Sequence, residues 1–205
     1  MELRGGDTVK TEANAEAYLQ VNGFTSTIKI TENTILELTK MDCKIGGDTE
    51  TVLTVKKGKI LSSVRKLSAN SSYVIHTPKG VASIRGTDFE IAADLLPDGA
   101  YRVTFTSVTG QVSVTAMVDG QEKTQNLTTG QSWTPGRRGP EEQSAFYFRP
   151  YAPLAPYEPN SDSLFATQHP TLQRRRPSQH RRGHRPQSLC SSVSAAASHS
   201  SLSLL

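Results

Sequence analysis

The 205-residue chain lacks most of what marks a helix, a membrane span or a catalytic centre. No stretch approaches 18 consecutive apolar residues, so no segment reads as a helix crossing a bilayer. The opening MELRGGDTVKTEANAE has no apolar segment of the kind a secretory signal needs. Two cysteines, Cys43 and Cys190, are too few for a disulfide framework or a four-thiolate zinc site. His76 is the one histidine before residue 135, which leaves that part without a histidine-based triad or metal set of its own. Glycines stand singly or in pairs, never in a phosphate-cradling loop ahead of a helix. No 11-residue window shows the i, i+3, i+4, i+7 apolar face of a helix; Ala13–Tyr18 comes nearest and reads better as strand.

Charge and proline divide the chain in two. Residues 1–134 carry 14 Lys+Arg and 15 Asp+Glu, a net of −1; residues 135–205 carry nine Arg, no Lys and four acids, a net of +5. Those two nets give the overall +4, so the basic balance belongs to the C-terminal part. That part also holds nine of the eleven prolines and four of the five histidines. It runs from an aromatic, proline-rich 145–157 through the basic 172–186 to a Ser/Ala/Leu-rich end. Such a composition buries too little apolar surface to offset its ordering entropy, and the sequence predicts a disordered tail over 135–205. The arginine run could neutralise phosphates and bind nucleic acid. A tail without a single lysine argues instead for a solvated extension, and nucleic acid is not the expected partner.

What residues 1–134 do contain is alternation. Ala17, Leu19 and Val21 alternate with polar neighbours ahead of Asn22-Gly23, a hairpin signal. Ile28 and Ile30 share a face, as do Leu36 and Leu38 with Ile35 opposite. The Cys43–Thr49 stretch reads as a turn, Lys57-Gly58 as a break between two strands, and Pro78 as a strand stop. Tyr73 and Ile75, then Tyr101, Val103 and Phe105, then Val112, Val114 and Ala116 continue the pattern, with Asp119-Gly120 and Gly130 as later turns. About ten short strands at spacings near 8–12 residues predict an all-β fold, a single sandwich or roll or a short solenoid.

Residues 76–91, HTPKGVASIRGTDFEI, resemble the signature of FecR domains through Thr77, Pro78, Gly80, Arg85, Gly86, Thr87, Asp88 and Phe89. Ordered flanks match as well: Gly6-Asp7, Asn33-Thr34, Gly58-Lys59-Ile60, Gly110-Gln111-Val112 and Leu127 with Gly130-Gln131. The resemblance implies a FecR-like β domain over 1–134, with no catalytic residues, cofactor or metal. It further implies a module outside the cytoplasm that receives a signal from an envelope or receptor protein. Regulators of this type also carry a cytoplasmic helical segment, a membrane span and a further small domain, so this sequence is closer to the stand-alone members. Read from the residues alone, Gly86 serves a positive φ or a close backbone approach. Arg85 offers five donors to carbonyls or to a partner's anion, Thr87 stiffens the bend and Phe89 returns to the core. Asp88 and Glu90 lie two apart on one strand face, a poor basis for acid/base chemistry. A carbohydrate-binding module is the alternative, with Tyr101 and Phe105 on one face. Because Gly6-Asp7 comes so early, Met1 is expected to be internal to a longer product with an export signal, which would place the protein in the periplasm.

Overall fold

In the computed structural model, every regular element is a β-strand; it describes residues 2–21, 26–44 and 47–137, and the strand backbone at 141–142, 193–198 and 202–204. The strands form one sheet folded into two faces. The first face runs, in order, β1 (Glu2–Leu3), β15 (Val193–Ser198), β3 (Glu16–Val21), β4 (Ser26–Ile30), the second half of β6 (Thr49–Val64), β9 (Asp88–Leu95), β10 (Tyr101–Thr109), β13 (Gln131–Trp133) and β14 (Glu141–Glu142). The second runs β16 (Leu202–Leu204), β2 (Thr8–Thr11), β5 (Ile35–Cys43), the first half of β6, β7 (Ser72–Thr77), β8 (Gly80–Ile84), β11 (Gln111–Val118) and β12 (Gln121–Thr128). All of these pairs are antiparallel except β6 with β7.

The all-β sandwich or roll expected from the alternation is what forms, with thirteen strands up to Trp133 where about ten were read. One reading needs correction. Lys57-Gly58 does not end a strand: β6 runs unbroken through it for 16 residues, bending from one face to the other. Gly58 takes φ +91°, and a Cβ there would sit 2.5 Å from Thr34 Cα, so only glycine lets the ladder continue round the bend. The Asn22-Gly23 turn lies outside the described residues, but β3 and β4 on either side of it pair with Val21 opposite Ser26.

Register turns the alternation into a core. On the first face Ala17, Ile30, Ile60, Ile91, Phe105 and Trp133 stand in one cross-strand row, all buried. On the second, Leu53, Ile75, Ala82 and Val114 form the facing kind of row, also buried. Each large side chain in these rows contributes about 1.5–3 kcal/mol by leaving water.

The two faces meet at two corners. At the first, β2 turns into β3 at Asn14, β4 into β5 at Asn33, and β6 bends at Gly58, all three in the left-handed region. Threonine hydroxyls tie these turns together. Thr11 Oγ1 donates to the Thr31 carbonyl at 2.6 Å and receives the Thr34 N–H at 3.0 Å; Thr34 Oγ1 receives the Lys59 N–H at 2.9 Å. Both halves of β6 then run away from this corner towards the second, where β8 turns into β9, β10 into β11 and β12 into β13.

Candidate functional site

The residues singled out in the sequence fall into two turns. The first is the β7–β8 hairpin, where Thr77 pairs with Gly80 across Pro78-Lys79. Thr77 Oγ1 donates to the Gly80 carbonyl at 2.7 Å and receives the Gly80 N–H at 3.1 Å, closing the turn. Pro78 sits outside the ladder, where its missing N–H costs nothing. A Cβ on Gly80 would lie 2.7 Å from the Thr115 carbonyl oxygen, so the residue is glycine because β11 passes too close.

The second turn builds the far corner. Gly86 takes φ +81°, and a Cβ there would lie 2.7 Å from Lys66 Cα in the connection between β6 and β7. The Thr87 carbonyl accepts the Val64 N–H at 3.0 Å, locking the turn to the end of β6. Asp88 is held locally: its N–H donates to Thr109 Oγ1 at 3.1 Å, and that hydroxyl donates to the Asp88 carboxylate at 2.9 Å. Phe89 is buried in the row with Leu19, Ile28, Ser62 and Ser107. Thr87 Oγ1 is buried with no hydrogen-bond partner among the described residues, and its methyl group fits where Gly110 has no side chain.

Arg85 is the exposed member of the set. Its Nη2 donates to the Ala69 carbonyl at 3.0 Å, an exposed contact across the β6–β7 connection and not a buried one. Beside it, Arg65 and Lys66 are also exposed, and none of the three forms an ion pair among the described residues. Lys10, Lys29, Lys40, Lys56 and Lys59 each face a carboxylate, whereas Lys57, Lys79, Arg102 and Lys123 are exposed and, like the trio, form no ion pair among the described residues. Arg65 and Lys66 were not picked out from the sequence. Their signal was weak, an Arg-Lys pair following a strand, and their approach to Gly86 is a tertiary contact.

Catalytic candidates do not assemble. His76 is exposed at the end of β7, and Glu90 pairs with Lys59 at 3.4 Å while Asp88 is engaged with Thr109. Among the described residues no group of three His, Cys, Asp or Glu is placed to hold a metal. An open depression of about 420 Å³ is lined by Arg4, Gly5, Thr39, Lys40, Met41 and Asp42, but Lys40 is occupied by Glu50 at 2.8 Å. The most perturbed group is Tyr73, buried in the core, whose hydroxyl receives a hydrogen bond from Ser26 Oγ at 3.3 Å. Burial pushes its pKa up to about 12, with Ser26 and Ser62 pulling the other way.

The family described as FecR protein matches residues 7–113, just over half of the chain. Two crystal structures of a candidate anti-sigma factor from Parabacteroides distasonis ATCC 8503, at 1.65 and 2.50 Å, share the fold at a TM-score of 0.50. Identity to them is 13%, over 71% of this chain, which spans 61% of theirs. No curated protein matches the chain. Among the described residues no helix is long and apolar enough to cross a membrane.

Proposed function

The chain belongs to the FecR family, and we propose that it is a non-catalytic module outside the cytoplasm, in the periplasm, that relays a signal by docking an envelope or receptor protein. Family membership supports a regulatory, signal-relay role, and the fold is that of a protein described as a candidate anti-sigma factor. The docking surface in this reading is the second corner. The observation that carries it is the exposed trio Arg65, Lys66 and Arg85, without ion pairs among the described residues, on a corner built by family-motif residues. Such a surface suits an acidic segment of a partner, where charge complementarity speeds encounter and selects against basic competitors.

A photo-crosslinking residue in place of Arg85, in the full chain expressed in its native cells, tests this. The expected result is an adduct with one envelope protein that Arg65→Glu and Lys66→Glu abolish while leaving the thermal midpoint unchanged. Failure to form an adduct, or one indifferent to charge reversal, would sink the reading. The two aromatics the carbohydrate alternative relied on offer no exposed platform: Phe105 is fully buried and Tyr101 packs against the core. The arginine run at 172–186 lies outside the described residues.

A further inference from the structure

The edge formed by β2 and β3 differs from the β12 edge of the second face. Val9, Ala17, Leu19 and Val21 on these strands are all fully buried, so the core continues undiminished to its last rung. At the opposite end of the second face, β12 is blunted: Gln121, Glu122, Lys123 and Thr124 are exposed, and only Leu127 of the strand is buried. A polar, charged strand of that kind protects an open edge, whereas β2 and β3 carry charge only at Lys10 and Glu16, each already held in an ion pair.

Residues from the C-terminal region cover it. β15 pairs with β3 from Val193 opposite Val21 to Ser198 opposite Glu16, and β16 pairs with β2 from Leu202 opposite Thr11 to Leu204 opposite Val9. Three residues separate β15 from β16, and four separate β2 from β3. The segment thus joins the first face through β15 and the second through β16, as β3 and β2 do. β15 also pairs with β1 at Val193 and Ser194, so it lies between β1 and β3.

We propose that the β2–β3 edge is a strand-accepting site whose occupant is the 193–204 segment, held as an exchangeable cap and not as part of the core. Main-chain hydrogen bonds supply the attraction, as in other cases of strand addition to a sheet edge. The run VSAAAS is composed mostly of small residues, so what the site reads is main-chain pairing along β3 and β2. The covalent tether favours the segment over the same sequence supplied by another molecule.

Hydrogen exchange on the full chain tests the proposal. In the unaltered protein, alternate β3 amides face β15, and they should exchange at least tenfold more slowly than the outward amides of β12. The double variant Ala195→Pro/Ala196→Pro removes ladder donors from the segment. It should lose that protection in β2 and β3 while amides of β9 and β10 change less than twofold. A synthetic 193–204 peptide added in excess to the variant should restore it. Three outcomes overturn the idea: β3 amides as fast as those of β12 in the unaltered chain, protection unchanged in the variant, or a peptide that restores nothing. Loss of protection throughout the variant overturns it too, because the segment would then belong to the core.

Discussion

The two corners do the same geometric work with different residues. Each stacks three left-handed positions where strands cross between faces: Asn14, Asn33 and Gly58 at one, Gly86, Gly110 and Gly130 at the other. Asparagine tolerates this conformation where its side chain can point to solvent, as both do here. Glycine is required where a neighbouring backbone leaves no room, as at Gly58 against Thr34 and Gly86 against Lys66. Threonine hydroxyls fasten both corners, Thr11 and Thr34 at the first and Thr109 and Thr129 at the second, where the Val64–Thr87 and Gly130–Ser107 backbone bonds add to them. The lesson is that stacked left-handed residues build each corner, and that glycine is obligatory among them where the next turn packs closely, as at Gly58 and Gly86 but not at Gly130.

The strongest way to break this comparison is Gly86→Val. Left-handed strain of about 1–3 kcal/mol and overlap with Lys66 of similar size should together cost about 3–5 kcal/mol in urea unfolding. Gly130→Ala, with nothing within 4 Å of its new Cβ, should cost only about 1–2 kcal/mol. Equal losses would show that crowding does not distinguish the positions.

A second test addresses Tyr73, whose hydroxyl reaches Ser26 on the other face, near the Val64–Thr87 contact. Below pH 10 it is protonated whether folded or not, and its contribution is complete. Between pH 10 and about 12 the unfolded chain releases the proton first, so stability falls as pH rises. The loss reaches about 2–3 kcal/mol at pH 12, and Tyr73→Phe should remove that part of the pH dependence. Parallel curves for the two proteins would contradict the assignment.

Thr34→Val sharpens the contrast from the other corner. It keeps the shape but strands the Lys59 N–H, at a cost of about 1–3 kcal/mol by thermal or denaturant unfolding. Thr87→Val is the smallest effect and has the opposite sign. Removing a buried hydroxyl without a partner should leave stability unchanged or raise it by up to about 1 kcal/mol. A clear loss would mean that the hydroxyl is satisfied after all.

Much of this was legible in the residues themselves. Period-two alternation placed Leu36, Leu38, Tyr73, Ile75, Val103 and Phe105 on the inner faces, where they are buried. The family motif drew attention to the bend at Gly86, but not to its joining the two faces. The continuity of β6 was not legible, because a glycine after a lysine reads as a turn until the neighbour that forbids a side chain is known. Asn14 gave no signal beyond its residue type, and Asn33 entered only through the Asn33-Thr34 family match, which says nothing of a corner. The Arg85–Ala69 and Gly86–Lys66 contacts join residues 16 and 20 apart in sequence, so no local pattern encodes them. Val193–Ser198 has no alternation at all, and its place beside β3 is a property of the edge it meets.

The bent β6 has a consequence for how the molecule comes apart. Its first half pairs with β5 and β7 and its second with β4 and β9, so one unbroken segment is a central member of both layers. Neither layer can melt and leave the other intact, because releasing β6 from one removes the anchor of its own continuation. Unfolding is thereby forced towards a single all-or-none transition, and partial opening is confined to the outer rungs.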